Sequence, residues 1–394
     1  PSLIPETPTE VGRVAKSLAL TGRYADPYAV PTGSTAHPLP LYTGMLAGIY
    51  RVLGFGPRAD YARCILIVVA NSLICAMLPW LALRLGMNIQ AGVIAGFASA
   101  LIPGRGLFEV VLSWEEPYTA ILLALTLVWF LRRWTSRATS WPGSLMLGLA
   151  AGVLLHLSAP MVLVVFGCLA FEVYWERQPR KPHSAALVCL GVVIACIPWT
   201  WRNFSVFHEL FFLRSNFGLE LRLGNHAGTA PDWDSLVSNH DVRHPGGLTG
   251  EALQVRALGE IEYMRRARRE AAGWIQQNPV EVARLTALRA VYWWFGPLHH
   301  PFAAAHIALL TLLAMLGAWR FVPVASPPER AALIIPLALF PLVYYVIPYF
   351  PRYRVPVDWI LLLLAGQAVA NWLPLAGQAQ PSRMAWQVSL SMRL

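Results

Sequence analysis

The chain holds 394 residues with a mean hydropathy of +0.49, only 13% charged residues and 16 tryptophans. Soluble globular domains carry roughly 25% charged residues, which excludes an ordinary cytosolic enzyme, a disordered chain and a soluble nucleic-acid binder. The net charge of +10 matters through its placement more than its sum. Residues 1–64 come first. They are rich in Pro, Gly, Thr and Tyr, with helices expected near 9–20 and 41–53, the second short, apolar and suited to the membrane interface. The chain opens Pro1-Ser2-Leu3 without an initiator Met or a basic-then-apolar leader, which leaves room upstream for a further span and a further acid.

A hydrocarbon core of about 30 Å asks for roughly 20 apolar residues per helix. Nine runs qualify, at 65–85, 89–103, 118–131, 143–157, 160–175, 184–201, 301–319, 331–347 and 355–373, with Pro160 alone splitting 143–175. The expected organisation is a first extracytoplasmic loop (1–64), a transmembrane bundle (65–201, about six spans) and a long extracytoplasmic loop (202–300). A second bundle (301–373, about three spans) and a cytoplasmic tail (374–394) complete it. With 1–64 outside, the short-loop clusters Arg132/Arg133/Arg137, Arg177/Arg180/Lys181 and Arg320/Arg330, and the tail's Arg383 and Arg393, all fall on the cytoplasmic side, the positive-inside pattern. In the long loop, Glu251–Arg269 mixes acids and arginines at helical spacing, with Glu262 and Arg266 placed to pair at i,i+4.

Five cysteines (64, 75, 168, 189, 196) lie in or beside apolar runs without ligand spacing and read as packing residues. The chemistry-bearing residues gather in four extracytoplasmic clusters. They are Glu10-Val11-Gly12-Arg13 through Pro27-Tyr28 to Thr32-Gly33-Ser34-Thr35-Ala36-His37-Pro38; Trp114-Glu115-Glu116-Pro117; Pro198-Trp199-Thr200-Trp201-Arg202-Asn203 with Arg214 and Gly224-Asn225; and Pro351-Arg352-Tyr353-Arg354-Val355-Pro356-Val357-Asp358.

In this order the clusters resemble the GT-C superfamily of membrane glycosyltransferases. The likeness is to a bacterial, family 39-like branch related to protein mannosyltransferases and to aminoarabinose transferases acting on lipid A. The resemblance spans residues 6–360 and implies an all-α polytopic helix bundle whose extracytoplasmic loops form an outer amphipathic layer. It further implies a bacterial inner-membrane enzyme with its active site outside. Such an enzyme takes a sugar from a polyprenyl-phosphate donor to a glycan, lipid or protein acceptor, with inversion and a first-loop carboxylate as base. Relatives carry an Asp-Glu pair where Thr7-Pro8 stands here, flanked by Glu6 and Glu10. Glu10 is the preferred base because it belongs to the E-x-G-R-x-A pattern; Glu6 and Glu115 are the other catalytic candidates, with Glu116 placed to bind substrate or to substitute for Glu115.

The residue chemistry agrees. A base must reach an acceptor hydroxyl, a role for carboxylates, and a departing lipid phosphate needs arginine donors. Arg352, Arg354, Arg202 and Arg214 are candidates, with Tyr353, Asn203 and His37 beside them as substrate contacts.

Plainer readings stand next to these. Glu115 and Glu116 can be solvated or paired, Arg352 and Arg354 can anchor among lipid headgroups, and Arg202-Asn203 can cap a span end. His37 can make a structural hydrogen bond, and Trp199, Trp201, Trp293 and Trp294 can form an aromatic belt. No cofactor is assigned and a divalent cation is left open, His240-Asp241…His244 being the best metal candidate. The rival functions are a transporter or flippase for lipid-linked sugars, and a non-catalytic binder of them. Transport is disfavoured because the span interiors hold few charges.

Overall fold

The structure is a computed structural model that describes residues 9–101, 115–136, 140–175, 183–239, 242–247 and 249–372. Glu6, Trp114, His240, Asp241 and the tail 374–394 lie outside the described residues. The described chain is helical, and its only β pairings are two isolated bridges. The apolar runs become α3 (Pro57–Arg84), α4 (Ile89–Leu101), α5 (Glu116–Ser136), α6 (Trp141–Leu155), α7 (Met161–Trp175) and α8 (His183–Phe207), then α14 (Pro301–Phe321), α15 (Pro327–Leu339) and α16 (Val355–Trp372). Among the described residues, four helical stretches, Pro57–Arg84, Ser184–Phe207, Pro301–Phe321 and Pro351–Trp372, are long and apolar enough to cross a membrane. The rest form a layer at one end of the bundle: α1 (Glu10–Thr21), α2 (Pro40–Leu53), α9 (Phe217–Gly224), α10 (Trp233–Ser238), α11 (Thr249–Leu258), α12 (Glu260–Gln277) and α13 (Pro279–Phe295).

Two details depart from the sequence reading. The run 331–347 is not one helix: α15 ends at Leu339 and passes into a 3₁₀ turn, Phe340–Tyr345. Pro341 lacks the N–H that would continue the α ladder. The Glu251–Arg269 stretch likewise splits into α11 and α12 at Gly259, whose φ of +79° suits a residue without a side chain. The new register changes the ion pairs. Arg266 Nε reaches Glu270 (2.8 Å), while Glu262 is bound by Arg269 (2.6 Å).

Small residues set the bundle's spacing. Helices in lipid gain nothing from burying apolar surface against one another, so close backbone approach and dispersion hold them. A Cβ on Gly148 of α6 would overlap the Val188 carbonyl of α8, and one on Gly191 would overlap the Leu145 carbonyl. Gly366 of α16 meets the Ala91 carbonyl of α4 in the same way, and Gly317 of α14 meets the Leu364 carbonyl of α16. Helix α16 is central: it is buried along most of its length and so is apolar on every face. At the end away from the layer, Arg133 gives two hydrogen bonds to Glu172 Oε1 (2.8 and 2.7 Å) and one to Ser144 Oγ (2.7 Å), tying α5, α6 and α7 together.

The layer has its own cores. Val11 and Ala15 of α1 pack on Tyr42, Leu46 and Ala47 of α2. Tyr28 of the first segment joins Leu219, Leu223, Val255 and Tyr263 of the second, so the two sequence-distant segments share one apolar cluster. Asn225 fastens this layer to the bundle: its amide donates to the Val346 carbonyl at 2.8 Å, beside Gly224, whose close approach to Val346 and Ile347 leaves no room for a side chain.

The α6–α8 contact predicts that Gly148→Val lowers thermal stability by about 1–3 kcal/mol through overpacking. Gly273→Ala, in α12 with no neighbour within 4 Å, is expected to leave stability unchanged or raise it by about 0.5–1 kcal/mol. Melting temperatures of the two variants in one detergent check both.

Candidate active site

Where the layer meets the mouth of the bundle there is a cavity of about 390 Å³. Its polar wall draws on all four sequence clusters: Glu10 and His37, Glu115 and Glu116, Arg214 and Asn216, and Arg352 and Tyr353. Its floor is apolar, from Leu39, Val162, Leu163, Val343 and Ile347, with Ser158–Pro160 at the break between α6 and α7.

Each polar group is placed by local physics. Thr9 caps α1, its hydroxyl accepting from Gly12 N–H at 3.1 Å, which fixes Glu10 in the first turn. The loop from Gly22 to Leu39 makes a short hairpin, with Asp26 Oδ1 accepting from Thr32 and Gly33 N–H (3.0 and 2.8 Å). Its outward backbone groups are taken up by charged side chains from elsewhere. Arg202 donates to the carbonyls of Thr35 (2.7 Å) and Tyr24 (2.9 Å), Arg214 donates to that of His37 (2.7 Å), and Glu260 Oε1 accepts from Ala36 N–H (2.8 Å) and Ser215 Oγ (2.6 Å). His37 Nδ1 lies 3.3 Å from Tyr28 Oη. Burial, then the positive charge of Arg214, then His244 hold the His37 imidazole well below its ordinary pKa, so it is neutral at neutral pH.

The sequence candidates separate in space. Arg352 points into the cavity and pairs with Glu116 (Nη1 to Oε1, 3.3 Å), both largely buried. Arg354, two residues on, faces away: it donates to Asp358 (3.1 Å) and to the Trp293 carbonyl (2.8 Å) and does not line the cavity. Arg202 and Asn203 are likewise outside the lining. Arg202 is spent on the first-loop carbonyls with Tyr24 and Trp199 against its guanidinium, and Asn203 donates to the Leu213 carbonyl at 3.3 Å. They hold the wall instead of forming it. Tyr353 lines the cavity and stacks on Tyr344 (4.6 Å between centroids). Trp293 is not a belt residue; it is buried and stacked on Tyr344.

Residues outside the catalytic and substrate-binding candidates also border the site, among them His244, which the sequence marks only as part of a metal candidate. Glu220 of α9 lines the cavity, its carboxylate accepting from Asn216 Nδ2 at 2.9 Å. A lone acid on a short helix gives no sequence signal, and only the packing of α9 brings it there. His244 Nδ1 lies 3.6 Å from Glu10 Oε1 and accepts from Gly246 N–H at 2.9 Å. Gly246 touches the Glu10 carboxylate: a Cβ there would overlap Glu10 Oε1. Among the described residues, the lining thus holds four carboxylates (Glu10, Glu115, Glu116, Glu220) and two guanidiniums (Arg214, Arg352). Such a site can accept a proton at one pole and hold an anion at the other.

No protein-family model and no curated protein matches the sequence. Solved structures do. The oligosaccharyltransferase of Archaeoglobus fulgidus, tethered to an acceptor peptide, superposes with a TM-score of 0.52 at 14% identity, over 97% of this chain and 48% of that one. The same organism's AglB, with an inhibitory peptide and a dolichol-phosphate, gives 0.48 at 14% identity, covering 97% of this chain and 50% of that one. ArnT from Cupriavidus metallidurans gives 0.35 at 15% identity, over 94% of this chain and 74% of that one. The chain therefore spans about half the length of the oligosaccharyltransferases it matches. The likeness to the structure that superposes at 0.52 shows the fold: an all-helical architecture shared with that oligosaccharyltransferase over nearly the whole of this chain.

Burial, outweighing hydrogen bonds from Ser215, Thr35 and Ala36, raises the pKa of Glu260 above the ordinary carboxylate value. The folded state then holds the proton more tightly than the unfolded chain, so stability falls as pH rises from the ordinary carboxylate value of 4.5 through the raised pKa, where Glu260 ionises against its burial. Glu260→Gln, whose amide oxygen can accept from the same two donors, is expected to keep the fold and flatten that slope. Melting temperature against pH for both proteins is the check.

Proposed function

We propose that the protein is an integral-membrane glycosyltransferase that moves a sugar from a polyprenyl-phosphate carrier to an acceptor on the extracytoplasmic face, with inversion at the anomeric carbon. The observation that carries this reading is the convergence of Glu10, Glu115 and Glu116 with Arg352 in one cavity at the mouth of the bundle, from chain positions 10 to 352. The fold shared with an oligosaccharyltransferase supports it. One matched neighbour was solved with a dolichol-phosphate and another with undecaprenyl phosphate, the donor class read into this chain here. In the proposed topology the nine apolar runs cross the membrane and the layer lies outside.

In this mechanism the Glu10 carboxylate takes the proton of the acceptor nucleophile as that atom attacks the anomeric carbon. The bond from that carbon to the phosphate oxygen breaks, and the polyprenyl phosphate leaves with the bonding electrons. Arg352 stabilises the charge gathering on the phosphate. Glu116, paired with Arg352, aims the guanidinium and keeps it neutralised until an anion arrives. Arg214 serves as second cation, and Glu115 and Glu220 border the acceptor side. The apolar floor accommodates the first units of the lipid. The placement of charge supports transfer over transport: the four carboxylates and two guanidiniums of the cavity sit at the mouth, while Arg133 and Glu172 at the other end neutralise each other.

Purified protein in nanodiscs, offered a panel of polyprenyl-phosphate sugars, is expected to hydrolyse or transfer from one of them. Glu10→Gln should lower turnover by about 10²–10⁴-fold, the range for losing a general base. Arg352→Ala should lower it by about 10²–10³-fold. Full activity in Glu10→Gln moves the base to Glu115; donor binding without turnover in the wild type sinks the enzyme reading. Gly246→Ala, which displaces the Glu10 carboxylate without touching the phosphate pole, should slow turnover by about 10–100-fold while donor affinity holds. Donor titrations beside the turnover assay read the two effects separately.

A further inference from the structure

Away from the cavity, the layer holds a second concentration of metal-binding side chains. His299 and His300 sit on the turn between α13 and α14, facing Asp232 and Asp234 at the start of α10. One ligand atom each from Asp234, His299 and His300 lies within 4.8 Å of the other two. His300 Nε2 is 3.2 Å from Asp234 Oδ2, and His299 Nε2 is 3.4 Å from Asp232 Oδ1. The fourth residue is the unusual one. Asp232 has a side chain only 3% exposed; Oδ1 accepts from Ser235 N–H, but Oδ2 is buried and has no hydrogen-bond partner among the described residues. A buried carboxylate oxygen without a donor carries a desolvation cost, and an ion held on His299, whose Nε2 is 3.4 Å from the same carboxylate, offsets it through charge and not by direct ligation.

We infer that Asp234, His299 and His300, with Asp232 behind them, form a binding site for a borderline divalent cation of the zinc class. Two imidazoles with carboxylate oxygens select zinc-like ions over calcium or magnesium, which prefer all-oxygen shells. Ligand atoms spread over less than 5 Å close onto an ion at about 2.0–2.2 Å with side-chain rotation alone. The two exposed histidines and Asp234 supply the inner contacts, and the buried Asp232 holds His299 in place, as carboxylates orient ligating histidines.

The consequence is mechanical. The site joins chain positions 232–234 to 299–300, at the entry to α14. It also flanks the pairing in which Trp233 N–H donates to the Tyr349 carbonyl (3.0 Å) and Tyr349 N–H donates to that of Pro231 (2.9 Å). Trp233, held between the two aspartates, touches His244 with one ring edge and Phe350 with another (centroids 6.3 and 6.5 Å). His244 neighbours Glu10 and Phe350 precedes Arg352 by two residues, so an ion here braces the strut between two walls of the cavity.

The test uses the full chain in nanodiscs, purified through a histidine-free tag, stripped with chelator and titrated with Co²⁺ and then Zn²⁺. One equivalent of Co²⁺ should bind with the intense visible band of a four-coordinate ion, and Zn²⁺ should displace it and raise the melting temperature. His299→Ala and His300→Ala should abolish the band, Asp234→Asn should weaken binding by at least about tenfold, and His240→Ala should change neither. Asp234 is exposed, so that variant stays informative if a histidine variant fails to fold. Absence of stoichiometric binding in the wild type overturns the inference. So does binding that survives at full affinity in Asp234→Asn, or that disappears only in His240→Ala. None of these readouts depends on transferase activity.

Discussion

The wall of the cavity depends on how an irregular loop is held. Residues 22–39 form no helix and pair with each other at one short bridge, Asp26 N–H to the Gly33 carbonyl and Thr35 N–H to that of Tyr24, which leaves further backbone groups to be met from elsewhere; buried polar groups without partners are costly. Arg202, Arg214 and Glu260 answer this from other parts of the chain, binding the carbonyls of Tyr24, Thr35 and His37 and the amide of Ala36. Charged hydrogen bonds of this kind contribute about 1.5–3 kcal/mol each. They also fix a geometry: with the loop anchored, Tyr28 enters the core of the second segment and His37 faces the cavity. Arg202 and Glu260 are absent from the lining, yet they hold the backbone of the loop that contributes to it.

Electrostatics at the bundle mouth follows from the same economy of charge. Arg352 and Glu116 are both largely buried and 3.3 Å apart. Removing either partner of a desolvated pair strands the other, at roughly 3–5 kcal/mol. The pair is therefore held for structural reasons, and any anion entering the cavity would compete with Glu116 for a guanidinium already in position. Arg354 is held elsewhere: Asp358 and the Trp293 carbonyl bind it on the far side of the same turn. Adjacent charges in one R-Y-R sequence thus do opposite work: one holds α16 to α13 and the other faces the cavity.

The bundle beneath supplies rigidity by close approach. Gly148 and Gly191 between α6 and α8, and Gly317 and Gly366 around α16, bring backbones into direct contact, so dispersion replaces the hydrophobic drive that lipid removes. The layer is docked on this base through Gly224 and Asn225, with Arg289 of α13 donating to the Gly224 carbonyl. A rigid bundle and a docked layer keep groups from four loops within one cavity.

Apolar length and charge placement were legible in the sequence. Runs near 20 residues can only be membrane or buried helices, so the helices fall where hydropathy places them, and Pro160 does mark the break between α6 and α7. The order of four polar clusters told which segments to bring together, and Glu10, Glu115, Glu116, Arg352, Tyr353 and His37 do line one cavity. Which side each charge faces was not legible, because the sequence gives spacing along the chain but not the rotation of a short 3₁₀ turn, so Arg352 and Arg354 looked equivalent. Arg202 and Asn203 read as substrate contacts because a polar pair at a span end looks the same whether it meets a ligand or a distant carbonyl. Glu220 lines the cavity with no local pattern to mark it, and His244 and Gly246 back Glu10, placed by the packing of α9 and the loop before α11. The sequence by itself determined the helices and the membrane class, since hydrophobicity and length are local quantities. Only the tertiary structure decided which charges meet in the cavity, since burial and pairing arise between residues that the chain holds hundreds of positions apart.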